Sequence, residues 1–200
     1  MPRRKLIYTD YYPYHVTARA NNKEWFYIPK EQVWKIFVKE LNLIVLEEKF
    51  KIHAFVLMDN HYHMLCSTDD SKDLGVVMQR LQKNVSRKIN KKADRINHVF
   101  GGPYKGSLIT TPTYYKTVLK YVFRNPVEAG IVSKVEDYKY SSLNSDEITT
   151  VFPYSIDSLI NYRAQKLIPW LNGGLERSPK EIYKGLLKTE FKPVLERSYR

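Results

Sequence analysis

The sequence predicts an α+β fold, a ferredoxin-like βαββαβ arrangement in which an antiparallel sheet carries helices on one face and a C-terminal helical or irregular extension follows. Short β-branched and aromatic segments alternate with longer segments whose apolar residues recur at helical spacing, in the order strand, helix, strand, strand, helix, strand, helix. The length of 200 residues and the hydrophobic fraction of 43% suit one compact domain with a sizeable core.

The elements of the first half follow from local patterns. Residues 14–19 are β-branched and aromatic and predict the first strand. An apolar stripe over residues 33–45 predicts the first helix, which Pro29 can open. Residues 51–58 and 61–66 predict two strands, and because Asp59-Asn60 between them supplies turn chemistry, the two should form a hairpin.

The second half adds two helices and one strand. A second helix is predicted over residues 72–91, followed by a fourth strand over residues 104–110. A third helix is predicted over residues 113–124. It should stop before Pro126, because the residue that precedes a proline is disfavoured in the helical region.

The character of the chain changes near residue 145. Prolines, Gly173-Gly174 and scattered apolar residues replace the regular patterns. Ser178 to Glu181 forms a capping box with proline at the first helical position, which predicts a last helix from Pro179 that ends before Pro193. Residues 1–145 are interpreted as one domain and residues 146–200 as an extension of uncertain role.

The charge balance favours a polyanionic partner. The chain has 33 Lys and Arg against 21 Asp and Glu, a net charge of +12, and each neutralised phosphate releases condensed counterions. Such a balance also fits ribosomal or membrane-surface proteins. One side of the second helix carries cations opposite its apolar face, and this side is either a solvated surface or a DNA-binding ridge for phosphates, with candidates Arg80, Lys83, Arg87 and Lys91.

Other classes of protein are disfavoured by what the sequence contains. Cys66 is the single cysteine, so neither a disulfide framework nor a thiolate zinc cluster is expected. The basic N-terminus is not followed by the apolar region of a signal peptide, and no stretch reaches the roughly 18 apolar residues of a membrane span. We therefore expect a cytoplasmic protein of a reducing compartment, associated with the bacterial nucleoid and not with a membrane.

Two short patterns have the chemistry of a metal-assisted reaction. His61 and His63 are two residues apart on a predicted strand, so their imidazoles leave the same face and can hold a divalent cation while leaving other positions open. Tyr121 and Asn125 are spaced i,i+4 on the third helix, so a phenol nucleophile and an amide oxygen ligand share one face. On spacing alone, two ordinary histidines, a buried aromatic and a helix-ending asparagine explain the patterns equally well.

These patterns resemble a known family. Residues 57–65, LMDNHYHML, resemble the signature strand of HUH nucleases, and residues 121–132, YVFRNPVEAGIV, resemble the helix that carries the nucleophile in single-tyrosine transposases. The similarity points to the branch of REP-associated tyrosine transposases. Further segments match in the family's order and bring the coverage to roughly residues 1–145, namely residues 14–19, 104–107 and 137–142.

The resemblance implies a specific reaction. A transposase of this kind cleaves single-stranded DNA near hairpins of repeat elements: Tyr121 would attack the scissile phosphate and form a 5′-phosphotyrosine. Mg²⁺ or Mn²⁺ would be held by His61, His63 and Asn125. Relatives are monomers or homodimers. The first motif and the fourth strand add DNA-binding candidates, namely Arg19, Asn21 and Lys105.

Some features leave alternatives open. The chain departs from the family where Phe123-Arg124 stands in place of the common histidine and leucine, and where Glu128 replaces a basic residue. Tyr114 and Tyr115 are rival nucleophiles. A non-catalytic ferredoxin-like module that binds single-stranded RNA or DNA would also use basic charge and aromatic side chains. A hydrolytic nuclease with metal-activated water would use the metal but not the tyrosine.

Overall fold

The structure is a computed structural model that describes residues 7–69, 73–151 and 164–193. The elements follow the predicted order. The strands are β1 Tyr14–Arg19, β2 Phe50–Leu57, β3 His61–Thr68 and β4 Lys105–Leu108. The helices are α1 Lys30–Glu47, α2 Leu74–Ala93, α3 Pro112–Glu128, α4 Ala164–Asn172 and α5 Pro179–Leu186. Lys72, the predicted start of the second helix, lies outside the described residues.

The four strands form one sheet in the order β2-β3-β1-β4. Every neighbouring pair is antiparallel. This is the strand order of the split βαββαβ unit, and the predicted ferredoxin-like α+β fold is therefore confirmed. No helix among the described residues is long and apolar enough to cross a membrane.

Helices α1 and α2 pack on one face of the sheet, as predicted. Their buried apolar residues, such as Phe37 and Leu81, share a cluster with Val16 and Met64 of the strands. Tyr62 also points to this side, where its ring lies 5.2 Å from that of Phe37. This face is closed by aromatic and aliphatic packing and has no room for chemistry.

The opposite face is only partly covered. Helix α3 packs on β2 and β3, where Val118 and Val122 share a second cluster with Val56 and Leu65. Part of this face near β1 and β4 is open, and the cavity described below lies there.

The predicted end of α3 before Pro126 is wrong, because the helix continues to Glu128. Pro126 cannot donate to the carbonyl of Val122, and the local rule therefore favoured a break. The helix ends instead in a Schellman motif at Gly130, whose φ is 68°. There the N–H of Gly130 donates to Val127 (2.9 Å), and the N–H of Ile131 donates to Pro126 (2.9 Å).

The described part of the C-terminal extension packs on the same domain. The N–H of Leu108 in β4 donates to the carbonyl of Thr189, and the N–H of Phe191 donates back to Leu108, both at 2.8 Å. Ile182 and Leu186 of α5 are buried in the cluster that contains α3. The predicted capping box at Ser178 is confirmed, as is the start of the last helix at Pro179. Residues 189–191 thus cover the outer edge of β4, which blunts an exposed strand.

Candidate active site

Strand β3 presents two histidines to the open face of the sheet. His61 and His63 point to the same side, with ring centroids 5.0 Å apart and an angle of 82° between the rings. Tyr62 between them faces the opposite core, as the alternation of a strand requires. The predicted geometry of the pair is confirmed.

Helix α3 brings a tyrosine against this pair. The ring of Tyr121 meets that of His63 edge-on, with centroids 5.6 Å apart. Asn125, one helical turn further on, lines the same cavity of about 840 Å³ as Tyr121 and the two histidines. The structure therefore brings together the four residues that the sequence marked as candidates for nucleophile and metal ligands. A cavity of this size is large enough to accept a nucleotide.

Hydrogen bonds orient both imidazoles. The Nδ1 atom of His61 lies 2.8 Å from Oδ1 of Asn60 in the hairpin turn. The Nδ1 atom of His63 lies 2.9 Å from Nε2 of His15 on β1. Among the described residues, neither histidine has a hydrogen bond at Nε2. Each ring is therefore held at one nitrogen and has the other available, as in a metal-binding histidine.

The histidines are neutral at physiological pH. Burial lowers the pKa of His61 to about 4, aided by the positive charge of Arg19 and opposed by Asp59. Burial, helped by the neighbouring histidines, holds the pKa of His63 well below its usual range. Burial also lowers the pKa of His15 to about 3. A neutral imidazole keeps the lone pair that a cation needs.

Asn125 can supply an oxygen to the same site. Its Nδ2 group donates to the carbonyl of Tyr121 at 2.8 Å. The same group lies 3.5 Å from the carbonyl of Val122, to which Pro126 cannot donate because proline has no N–H. The amide nitrogen is thus used within the helix, and Oδ1 has no hydrogen bond to a described residue. No group of three or more His, Cys, Asp or Glu side chains within residues 7–69, 73–151 and 164–193 could hold a metal. A cation here would need the amide oxygen in addition to the imidazoles.

Tyr121 is buried and protonated. It is 5% exposed, and burial raises its pKa to about 12, with a further increase from the nearby phenol of Tyr183 and a decrease from the charge of Arg19. A phenol with such a pKa is a weak nucleophile at neutral pH, and it would need a positive charge nearby to act as one.

The predicted DNA-binding residues fall into two groups. Arg19, Asn21 and Lys105 line the cavity, and Lys23, which no sequence pattern indicated, lies beside them. Lys83, Arg87 and Lys91 are exposed on α2 and are not among the residues that line this cavity. Arg80 forms ion pairs with Glu47 and Glu48 of α1. Its charge is therefore already partly neutralised within the protein.

Three further residues belong to the site although sequence analysis did not place them there. His15 lies within a predicted strand, where a structural role is expected, and its contact with His63 depends on the pairing of β1 with β3, in which Thr17 lies opposite His63. Asn60 could have been noticed, because a turn asparagine directly precedes His61. Tyr183 comes from α5, far away in sequence, and no local pattern indicates that it lines the cavity.

Comparison with known proteins decides the family. Residues 9–125 match the family described as "Transposase IS200 like". This chain belongs to the IS200-like transposases. The match covers more than half of the chain and includes all four candidate residues. Among curated proteins, no similar sequence is found.

A solved structure shares the fold of this chain. A REP-associated tyrosine transposase bound to a REP hairpin superposes with a TM-score of 0.62 at 17% identity, over 76% of this chain and 89% of that one. A candidate transposase from Deinococcus radiodurans R1 matches with a TM-score of 0.41 at 12% identity, over 60% of this chain and 95% of the other. The predicted membership of a transposase family is confirmed by the family match, and the predicted likeness to the REP-associated tyrosine transposases is confirmed for the fold.

Arg124 and Glu128, two of the three residues at which the sequence departs from the expected family pattern, contact each other. Arg124 pairs with Glu128 one turn later, at 2.7 Å between Nη2 and Oε1. The same guanidinium donates through Nη1 to the carbonyls of Leu171 (3.1 Å) and Asn172 (2.8 Å) at the end of α4. Cations commonly bind the last carbonyls of a helix in this way. In this transposase, the unusual residues of α3 thus anchor the C-terminal extension.

Proposed function

We propose that this transposase cleaves and rejoins single-stranded DNA beside hairpins through a covalent 5′-phosphotyrosine intermediate. Tyr121 is the proposed nucleophile. His61, His63 and Asn125 are the proposed ligands of Mg²⁺ or Mn²⁺. The observation that carries the proposal is the convergence of these four side chains from β3 and α3 in one cavity whose lining also supplies Arg19, Lys23 and Lys105.

The reaction exchanges one phosphodiester for another. The Oη atom of Tyr121 attacks phosphorus and loses its proton, the bond between phosphorus and the 3′ oxygen breaks, and the leaving oxygen takes up a proton. The product is a 5′-phosphotyrosine and a free 3′-hydroxyl. Attack by the 3′-hydroxyl of a second strand reverses these steps and releases the tyrosine. Since the number of phosphate ester bonds is conserved, no nucleotide cofactor is required.

The residues of the site fit a divalent cation. The two neutral imidazoles are borderline donors and the amide oxygen is a hard one, so this set favours Mn²⁺, and Mg²⁺ would depend on oxygen atoms of water and phosphate to complete its shell. When bound, the ion would supply positive charge to the scissile phosphate, which the raised pKa of Tyr121 makes necessary. His63 can offer its Nε2 lone pair only if its Nδ1–H donates to His15, so we propose that His15 sets this tautomer.

Hairpin DNA is the proposed substrate. The REP-associated tyrosine transposase that shares the fold was solved with a REP hairpin, and the net charge of +12 suits a nucleic acid. We further propose that Arg19, Asn21 and Lys105 contact phosphates near the nucleophile. Lys83 and Arg87 would contact the DNA further away, and Arg80 would contribute less because of its ion pairs.

A covalent-adduct assay tests the proposed reaction. Labelled single-stranded oligonucleotides with hairpins from the protein's genomic neighbourhood are incubated with Mg²⁺ or Mn²⁺, and a protein–DNA band is sought on a denaturing gel. The proposal expects a band that requires the cation, that disappears with Tyr121→Phe, and whose linked peptide contains Tyr121. Tyr114→Phe is the matched control, since Tyr114 packs on Phe191 at a ring distance of 5.2 Å and should leave the band intact.

Each other outcome of this assay identifies a different function. Cleavage that survives Tyr121→Phe without a covalent band would establish a hydrolytic nuclease. Binding of hairpins with neither cleavage nor a band, for all hairpins and both cations, would favour a non-catalytic nucleic-acid-binding module. Either result would overturn the proposed mechanism.

Salt dependence tests the proposed phosphate-binding residues separately. On a single strand, each phosphate that a protein neutralises adds roughly 0.7 to the steepness with which log K falls against log salt concentration. We expect Lys105→Glu and Lys83→Glu to make this slope shallower, and Arg80→Glu to change it less than Lys83→Glu does. An unchanged slope for Lys83→Glu and Arg87→Glu would show that the exposed side of α2 is only a solvated surface.

A further inference from the structure

The C-terminal helix α5 holds one face against the domain and presents another to the cavity. Ile182 and Leu186, one turn apart, are buried in the cluster around α3. Gly185 packs closely on the following segment: a Cβ there would meet the ring of Phe191 at 2.8 Å and the carbonyl of Lys192 at 2.9 Å. Backbone hydrogen bonds between residues 189–191 and Leu108 tie this segment to β4. These contacts hold α5 in place beside the active site.

Tyr183 lies on the part of α5 that faces the cavity. It lines the same cavity as Tyr121 and His61, and its phenol is close enough to raise the pKa of Tyr121. Unlike Tyr121, it is 41% exposed. Its ring is thus accessible to a ligand in the cavity.

Among the described tyrosines that line the cavity, Tyr183 has the most exposed ring. Arg19, Lys23 and Lys105 provide charge for phosphates. Tyr121 is buried and Tyr104 is half-buried. Single-stranded DNA near a reacting phosphate also has unpaired bases, and these bind to proteins by stacking on accessible aromatic rings.

We propose that Tyr183 is a stacking platform for a nucleobase next to the scissile phosphate. Residue 183 lies outside the segment that matches the family, residues 9–125, so this contact belongs to the extension of this chain. The inference rests on the proposed function, because it assumes that single-stranded DNA enters the cavity. It gives the C-terminal extension a direct role in holding substrate, with no part in the covalent chemistry.

A binding experiment that involves no cleavage tests the platform. Fluorescence anisotropy compares a labelled oligothymidylate, which has no hairpin, with a fully abasic sugar-phosphate strand of the same length. Tyr183→Ala should weaken binding of the oligothymidylate by roughly 5- to 150-fold, the range that corresponds to about 1–3 kcal/mol for one stacked base. Binding of the abasic strand should not change, because it offers charge but no base.

Three variants make the result specific. Tyr183→Phe keeps the ring and should bind as the wild type does, and Tyr183→Leu keeps apolar bulk without a flat ring and should behave like Tyr183→Ala. Leu187→Ala is the matched control, since Leu187 follows the same helix, is 40% exposed and is not among the cavity-lining residues. Thermal melting of each variant shows whether α5 remains docked.

The outcomes separate this inference from the proposed function. An equal loss on both strands, or no loss with Tyr183→Ala, would overturn the stacking role even if the adduct on Tyr121 is found. A covalent adduct mapped to Tyr183 would also overturn it, because Tyr183 would then be a nucleophile. If the base-dependent loss is observed while no adduct forms on Tyr121, the platform stands and the proposed cleavage fails.

Discussion

Two buried histidine–tyrosine pairs lie on the same face of the sheet, and they differ in how their polar atoms are satisfied. His53 on β2 lies 2.8 Å through Nδ1 from the hydroxyl of Tyr115 and 2.9 Å through Nε2 from Oγ of Ser67. His63 on β3 has a described partner only at Nδ1, and its neighbour Tyr121 has no hydrogen bond to a described residue at its hydroxyl. Both histidines are 3% exposed.

Burial therefore does not distinguish the two pairs. Burial lowers the pKa of His53 to about 3, and it also holds that of His63 well below its usual range. What differs is that His53 has no nitrogen left for a ligand, whereas His63 has one and borders the cavity. A buried polar group whose hydrogen bonds are complete stabilises the fold, and one left incomplete beside a cavity indicates function.

The sharpest contrast is expected between His63→Ala and His53→Ala. Removal of His63 takes away a proposed ligand, so Mn²⁺ affinity should fall by more than the roughly 10- to 100-fold typical of outer-shell partners. His53→Ala should leave this affinity unchanged and mainly lower the free energy of unfolding, because Tyr115 and Ser67 lose their partner. Isothermal titration with Mn²⁺ at a temperature where both variants are folded measures the difference. Equal loss of Mn²⁺ affinity in both variants would show that His63 and His53 do not differ in their role in metal binding.

The next largest effect is expected for the hydrogen bond between His63 and His15. His15→Leu should lower Mn²⁺ affinity by roughly 10- to 100-fold, since nothing then fixes the Nδ1–H tautomer of His63. His15→Gln should recover part of the affinity, because its amide oxygen can accept the same hydrogen bond. Affinity measured by titration and an unfolding curve are both required. If the leucine and glutamine variants bind Mn²⁺ equally well, His15 has only a packing role.

A smaller effect is expected for Tyr115, whose hydroxyl is the partner of His53. Tyr115→Phe should lower the free energy of unfolding by about 1–3 kcal/mol, because Nδ1 of His53 is left buried without a partner. The yield of covalent adduct should match that of the wild type once folding is complete. Denaturant unfolding and the denaturing-gel assay check the two parts. A missing adduct in a folded Tyr115→Phe protein would make Tyr115 the nucleophile.

The smallest effect is expected for Ser67, the second hydrogen-bond partner of His53. Ser67→Ala removes a hydroxyl that is only half-buried, so water can replace it at Nε2 of His53, and the free energy of unfolding should fall by about 0.5–1.5 kcal/mol. Mn²⁺ affinity should not change. A measurable gain of metal binding would show that His53 becomes a ligand once its nitrogen is released.

The rival nucleophiles show how far sequence patterns reach. Tyr114, Tyr115 and Tyr121 all lie on one predicted helix. Spacing placed Tyr115 on the apolar face with Val118 and Val122, but it did not separate Tyr114 from Tyr121. In the structure Tyr115 faces His53, Tyr114 packs on Phe191, and Tyr121 lines the cavity. The packing of α3 across β2 and β3 gives the three tyrosines different surroundings. This packing depends on contacts between segments that are far apart in the sequence.

The C-terminal extension also shows that local patterns predict elements but not the contacts between distant segments. Its capping box and last helix were predicted from local chemistry, and both are confirmed. The i,i+4 ion pair of Arg124 with Glu128 was missed because α3 was predicted to end at residue 124. The bonds from Arg124 to the end of α4 could not be predicted at all. A contact between residues so far apart in sequence has no local period that would reveal it.

The sequence by itself determined the order of elements, the strand order through the βαββαβ pattern, and the faces on which His61, His63, Tyr121 and Asn125 lie, because side chains repeat every two residues in a strand and every 3.6 in a helix. It misplaced the end of α3, where the Schellman motif at Gly130 outweighed the helix-breaking effect of Pro126. Only the tertiary structure decided that His15 meets His63, that Tyr121 and not Tyr114 lines the cavity, and that Tyr183 lies beside it. These contacts depend on register and packing between segments far apart in the chain, and the free energy of the whole fold selects them.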